Sequence, residues 1–455
     1  MSAPPGDVTD RLERLAAYAP AGGLDPDAVW ARGRRRQRAR LGSVLAALVV
    51  VGLLGTTVSP FLVERAQRVA PAGGDDRMVL PDVIRQPGGW EPAFDRTPGR
   101  LSAVGIGTRS GLWSDRNAFW GVSAMTGESR FLDLPGAVVD SGGEPTLSAD
   151  GRRVAYWVTG EVSGEPLAPG SSGADDATPV VGVAVLDLQT GKREVWRLDS
   201  EHGLWPSGLA WAGDVLWWSA GPVRVSGDGG FASRPRARTW DVTTGERDEP
   251  DGPSARVGAN AVGAAPDGFV EQPLRGRLTL VTRAAEPRAI RLVLPTGSPG
   301  AAGTTDATIS PDGSRVAALL MPDASTYDDA PKQVLVADLG DQRAALRRVG
   351  DEAAQAVLGW RSPTHLVVAG LDEVEEGRPR RASRAWALDL TTGERAPLVE
   401  FAGNTPQVAA EAWTAEVVPA PDAPFAPDPR LVGLGLLGGA WVVWQVLRRR
   451  RRGHP

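Results

Sequence analysis

His202, His365 and His454 are the only histidines in this 455-residue chain, and it contains no cysteine. Thiol nucleophiles and Cys-ligated metals are therefore excluded, and a His-Glu-x-x-His zinc site cannot be assembled. A Ser-His-Asp triad would have to use His202 or His365, and each reads as an ordinary loop or strand-edge residue. The Gly-x-Ser-x-Gly elbow of α/β hydrolases is absent, with no α/β region to hold one. Fifty acids lie between the two ends of the chain, too many to nominate a carboxylate pair for glycoside hydrolysis. Asp328-Asp329 offers calcium ligands without EF-hand spacing. The reading is a non-enzymatic chain with no catalytic residue, no cofactor and no metal.

Groups suited to binding are gathered in four long polar segments, 160–179, 220–237, 321–333 and 371–383. Asp175, Asp176, Tyr327, Asp328, Asp329, Glu375 and Glu376 make these segments acidic, while Arg234, Arg236 and Arg238 add a basic edge. Loops of this length inside a compact domain are uncommon unless functional or disordered. Four tolerated insertions without a ligand fit the same composition equally well.

The residues around these segments alternate between short apolar runs and turns. Val154–Val158, Val181–Leu186, Val215–Trp218 and Val334–Ala337 are rich in β-branched and aromatic residues and bounded by Gly, Pro, Asp and Ser, which predicts strands. Two turn motifs recur. Ser148-Ala149-Asp150-Gly151 and Ser310-Pro311-Asp312-Gly313 each precede an apolar strand, with a weaker copy at Ala265-Pro266-Asp267-Gly268. Asp-x-x-Thr-Gly follows a strand at Asp187, Asp241 and Asp389, with partial copies around Gly127, Gly297 and Gly340. Aspartate can accept from the backbone ahead of it, and glycine takes the positive φ that closes the hairpin. The six glycines of the second motif recur at a period close to that of a four-stranded propeller blade.

On these motifs, residues 95–418 resemble the TolB-like and WD40-like β-propeller repeats of bacterial envelope proteins. Ser310-Pro311-Asp312-Gly313-Ser314-Arg315-Val316-Ala317 matches their turn between the first and second strands of a blade. The Asp-x-x-Thr-Gly copies match their turn between the third and fourth. The resemblance implies an all-β propeller of about six blades, seven also being compatible with the spacing. Consecutive turns of an antiparallel blade alternate between faces, so the four polar segments would share one face. Of the sixteen tryptophans, Trp157, Trp196, Trp211, Trp217, Trp240 and Trp386 fall in or beside strands and read as core, whereas Trp205 reads as exposed.

Charge is strongly partitioned. Residues 1–40 carry +3 and the tail 448–455 carries +5; with a net charge of −5, the remainder holds −13. An acidic central domain argues against nucleic acid as its ligand. Apolar segments at 41–63 and 431–447 each carry an arginine cluster on the side facing their own terminus. At about 1.5 Å per residue they reach about 35 Å and 26 Å, against about 30 Å of hydrocarbon. A forty-residue leading region is too long for a cleaved signal peptide. The predicted organisation is a cytosolic segment 1–40, a transmembrane helix 41–63, a linker 64–94, an extracytoplasmic propeller 95–418, a linker 419–430, a transmembrane helix 431–447 and a basic cytosolic tail 448–455.

The leading functional reading is a membrane-tethered propeller, partnered by the lipid bilayer and by a protein, peptide or cell-wall ligand outside the cell. One alternative is a transmembrane sensor whose segment 1–40 holds a cytosolic transcription regulator of the sigma-factor type. Another is a propeller hydrolase acting on envelope glycans.

Overall fold

The computed structural model describes residues 77–452 except 96, 140–142, 167–178, 226–230, 253, 259–263, 275, 284, 299–302, 322–331, 341, 371–383 and 425. One compact unit runs from Asp75 to Leu431, and the helix Pro429–Arg452 continues beyond it. The unit is mostly β, built from six successive sets of four antiparallel strands.

The second set is typical: Thr146–Leu147, Arg153–Thr159, Val180–Asp187 and Arg193–Arg197 lie side by side in chain order. The third is Leu204–Ala212, Val215–Pro222, Arg236–Asp241 and Arg247–Asp248. Fourth, fifth and sixth sets begin at Ala264–Ala265, Gly303–Ile309 and Ala356–Ser362 and repeat the pattern. The first set is assembled differently. Leu101–Arg109, Arg116–Ser123 and Ser129–Phe131 supply three strands, and the leading strand, Gln407–Val408, comes from the far end of the unit.

The leading strands of successive sets are neighbours. Gln407–Val408 lies against Thr146–Leu147, which lies against Leu204–Ala212; then follow Ala264–Ala265, Gly303–Ile309 and Ala356–Ser362. The short 3-10 turn Ala410–Thr414 touches both Ala356–Ser362 and Leu101–Arg109. The ends of the unit are tied together as well: Val79–Pro81 pairs in parallel with Glu416–Val418, and Val83–Arg85 with Arg395–Ala402.

Both turn motifs form as their residues require. Ser148 Oγ donates to Asp150 Oδ1 at 2.7 Å and accepts from the Arg153 N–H at 2.9 Å; Ser310 Oγ does the same with Asp312 and Arg315 at 2.6 and 2.9 Å. Each joins the first strand of a set to the second, with Gly151 and Gly313 at φ of 70° and 69°. The Asp-x-x-Thr-Gly turns join third to fourth strands. Asp187, Asp241 and Asp389 each accept two backbone N–H groups, and the threonine hydroxyl accepts the next one along. The copies around Gly127 and Gly340 sit at the equivalent hairpin. The copy at Gly297 does not: it follows Ala285–Val293, the last strand of the fourth set, and leads to the next set. There the third and fourth strands are joined instead by a tight turn that pairs Thr282 with Ala285.

Apolar faces of adjacent sets make the core. Trp157, Trp211, Trp218 and Trp240 are fully buried in one cluster, and the half-buried Trp196 meets Trp218 edge-to-face at 5.1 Å. Trp205, the second residue of the strand Leu204–Ala212, is exposed as expected, whereas Trp113, at 96% exposure, is far more open.

The pair of membrane-spanning helices gains no support from the fold. Segment 41–63 lies outside the described residues. Residues 431–447 do fall within the helix Pro429–Arg452, but among the described residues no helix is long and apolar enough to cross a membrane. The helix itself has 24 residues; what it lacks is a long enough apolar stretch, because Gly433, Gly435, Gly438, Gly439 and Gln445 dilute residues 431–447 and arginines follow from Arg448.

Candidate functional site

All four polar segments join the second strand of a set to the third. In the third set this connection leaves Val215–Pro222 and returns into Arg236–Asp241, and its base is a cleft of about 690 Å³. Ala220, Pro222, Arg224, Ser233, Arg234, Arg236 and Arg238 line it. Strand alternation sets the roles of the last three arginine positions. Arg236 pairs with Ala220 and Arg238 with Trp218 across the ladder, so both side chains leave the same face of the strand. Ala237, between them, turns into the core.

Arg238 is the buried member of the group, only 8% exposed. Its guanidinium lies over the Trp218 ring at 5.0 Å, a cation–π contact. Nε donates to Glu249 Oε1 at 2.8 Å, and Nη1 donates to the Ala220 and Arg236 carbonyls at 3.2 and 3.3 Å. Burying a guanidinium is tolerated because an acid and two carbonyls meet it there. Arg224, Arg234 and Arg236 are exposed and have no acidic partner among the described residues. Ser233 Oγ is buried without a hydrogen-bond partner among them. Gly221 lets this edge close up: a Cβ there would stand 2.4 Å from Ser233 Oγ and 2.5 Å from the Arg234 carbonyl oxygen. Guanidinium groups stay charged at every accessible pH, so the cleft is equipped to hold an oxyanion rather than to move protons.

Of the residues nominated from sequence, Arg234, Arg236 and Arg238 are brought together in this cleft. Asp175, Asp176, Tyr327, Asp328, Asp329, Glu375 and Glu376 lie outside the described residues. Sequence reasoning missed Arg224 and Ser233. Arg224 sits only two residues beyond the strand ending at Pro222, within the same polar segment, so its charge was the available signal.

Two carboxylates, the buried Glu271 and the half-buried Asp306, were also missed. Glu271 is 6% exposed and accepts from the Gly258 N–H at 2.7 Å; burial pushes its carboxyl above the ordinary range despite that bond. Burial likewise raises Asp306, against the Thr305 hydroxyl and the charge of Lys332. Asp306 is also the one non-glycine residue with positive φ (53°) among the described residues. Nothing in Thr304-Thr305-Asp306-Ala307 distinguishes that aspartate from the other acids of the chain.

His365 does stand in a chain of the triad type. Ser362 Oγ is 3.0 Å from His365 Nδ1, and His365 Nε2 is 3.7 Å from Asp389 Oδ2. Ser362, however, also accepts the His365 and Thr364 backbone N–H groups, and Asp389 is occupied by its own turn. In the second and fifth sets the register position of His365 is held by Arg153, opposite Asp187, and by Arg315, opposite Asp338. The group therefore repeats a contact that links two hairpins. His202 Nδ1 meets the Glu165 carbonyl at 2.8 Å in a surface loop. Among the described residues no group of His, Asp and Glu is arranged to hold a metal.

No protein-family model and no curated protein matches this chain. Solved structures do. An oligogalacturonate lyase from Vibrio parahaemolyticus is 10% identical over 72% of this chain and 80% of its own, with a TM-score of 0.36. A TolB-type protein from Agrobacterium tumefaciens is 13% identical over 57% and 79%, at 0.30. The C-terminal WD40 domain of Sif2 is 11% identical over 70% and 73%, also at 0.30. The expectation of a non-enzyme is corrected at this point: the lyase and other enzymes stand among the structures to which the chain is similar. Similarity at this level carries no reaction over to it.

Proposed function

We propose that this chain is a membrane-tethered β-propeller that binds a ligand outside the cell through the connections between the second and third strands of its blades. The arginine-lined cleft at the base of one such connection carries the reading. It is a concave site in the size range of small-ligand pockets, and its unpaired charge opposes the −13 of the chain between its two ends.

Three observations support the propeller. Six four-strand sets follow in chain order, the leading strands of successive sets are neighbours, and Gln407–Val408 completes the first set. In that architecture the four polar segments emerge on one face. For the tether the reading draws on the side chains of Leu431, Leu434, Leu437, Trp441 and Trp444, more than half exposed on the helix Pro429–Arg452, and on the arginines that end it, an apolar surface that can rest on a bilayer without crossing it. Arg430, at its base, donates to the Gly111 carbonyl and pairs with Asp115 at 3.2 Å, which fixes the start of the helix to the hairpin carrying Trp113.

The test uses the full chain in cells. Single cysteines at Ser172 and Ser2 should differ, the first reacting with an impermeant thiol reagent and the second protected. A photo-crosslinker at Arg234 should capture an envelope component that one at Gly245, on the opposite hairpin, does not. Equal labelling of both cysteines, or no adduct at Arg234, would overturn the proposal.

A further inference from the structure

The arginine cleft has the make-up of a phosphate site. We infer that its ligand is a soluble phosphate ester, bound through Arg224, Arg234 and Arg236 at the mouth and Arg238 at the floor. The inference rests on the binding-module reading above and names the chemistry that this module recognises.

The charge balance is the first argument. Four arginines line about 690 Å³ of space, and Glu249, bound to Arg238, is the one acid that meets any of them among the described residues. About three positive charges are left to attract a ligand. A single carboxylate would leave most of that charge uncompensated, whereas a phosphate monoester or diphosphate brings two or three negative charges to one point. Guanidinium also matches phosphate oxygens in paired, parallel hydrogen bonds that a point charge cannot make.

The second argument is the architecture of the floor. Arg238 is oriented before any ligand arrives: Trp218 supports its face, Glu249 takes Nε, and two carbonyls take Nη1. Arg238 is itself among the residues that line the cleft, and no bond of its Nη2 to a described residue competes with a ligand. Ser233 Oγ, buried and unpartnered, adds a hydroxyl able to donate to an oxyanion. A buried polar atom with nothing to bond is costly, and a small turn of the Ser233 side chain towards a bound oxyanion would relieve that cost. Gly221 holds the Ser233–Arg234 edge where it is, because any side chain at that position would collide with both residues.

The experiment is titration of the purified full chain in detergent with sodium pyrophosphate, followed by calorimetry, at two salt concentrations. Binding should weaken with salt, and Arg224→Ala, Arg234→Ala and Arg236→Ala should each weaken it about tenfold, the loss expected from one charge-assisted contact. Arg348→Ala, an exposed arginine elsewhere, should leave it unchanged. The mouth arginines are exposed, so unfolding temperatures should match the wild type and keep the comparison interpretable. Absence of pyrophosphate binding, or wild-type affinity in all three variants, would overturn the inference. So would arginine-dependent binding to vesicles containing phosphatidylglycerol without binding of pyrophosphate, which would make the ligand a lipid surface. Survival of the Arg234 crosslink in the presence of saturating pyrophosphate would sink the phosphate assignment while leaving the binding-module reading intact.

Discussion

Gln407 and Thr146 are 261 residues apart in sequence, yet Gln407 Nε2 donates to Thr146 Oγ1 at 3.0 Å. The same side chain accepts the Leu147 N–H through Oε1 at 2.9 Å. One amide thus joins the leading strand of the first set to that of the second, at the place where the end of the unit meets its beginning. Two-residue strands have little ladder of their own, so the side chain supplies bonds that the backbone does not.

Gln407→Ala should therefore cost about 1–2 kcal/mol, since it leaves the buried Leu147 N–H without its acceptor. Urea unfolding followed by tryptophan fluorescence would measure it. Gln407→Glu, which keeps the acceptor and loses the donor, should cost less. Equal, negligible losses in both would show that the junction is held by other contacts.

The two glycine hairpins separate backbone strain from crowding. Gly313 has φ of 69° and open space where a Cβ would stand, so Gly313→Val meets only the resistance of a β-branched residue to positive φ, about 1–3 kcal/mol. Gly151 has nearly the same φ, but a Cβ there would stand 2.1 Å from the Leu101 carbonyl oxygen, which belongs to a neighbouring set. Gly151→Val should cost clearly more than Gly313→Val in the same chemical denaturation assay.

These hairpins were legible in the sequence because their chemistry is local. Serine, aspartate and glycine satisfy a turn within six residues, so spacing alone located them. The Gly297 copy was misplaced because its Thr-Gly pair closes a loop between sets, and only the register of Thr282 with Ala285 reveals the true hairpin. The arginine cleft was half legible. Arg234 and Arg236 stand out in a polar segment, but the cleft also needs Arg224, which comes close only because two strands pair in antiparallel register. Glu271 and Asp306 were illegible, since burial of a particular acid is a property of packing.

Asp306 gives a pH prediction with a definite sign. Its folded-state pKa lies above the unfolded value, so the native state holds the proton more tightly. Its contribution to stability is greatest below the unfolded value of about 4 and declines as pH rises through the raised one. Asp306→Asn should thus gain stability relative to wild type as pH rises from about 4 towards neutrality. Asp312 is the reverse case: the Ser310 hydroxyl first, with further bonds from Ser314, outweighs its slight burial and holds its carboxyl below the ordinary range. Its contribution is present above the unfolded value of about 4 and is lost as pH falls below it, so Asp312→Asn should lose stability relative to wild type as pH rises through the acidic range up to about 4. Denaturation midpoints at several pH values would show whether the two variants diverge in opposite directions.

Tryptophans of one chain should respond in opposite ways. Trp218 is fully buried, meets Trp157 and Trp196 edge-to-face and supports Arg238, so Trp218→Ala should cost about 3–5 kcal/mol. Trp113 is almost wholly exposed at a hairpin tip, and Trp113→Ala should change stability by less than about 0.5 kcal/mol. Acrylamide quenching should fall in the second variant and not in the first.

His365 can be tested through the repeat itself. Arginine holds the equivalent position in two other sets, where Arg315 Nε reaches Asp338 at 3.2 Å, as His365 reaches Asp389. If the histidine serves to link two hairpins, His365→Arg should keep that link, and its thermal unfolding should stay within a degree or two of wild type. His365→Ala should be less stable than His365→Arg, by the roughly 0.2–1 kcal/mol that an exposed pair contributes. A proton-transferring role predicts instead that His365→Arg loses activity as completely as His365→Ala, because arginine cannot give up its proton. Hydrolysis of a p-nitrophenyl ester that wild type performs and His365→Arg does not would establish that Ser362, His365 and Asp389 do chemistry beyond their place in the repeat.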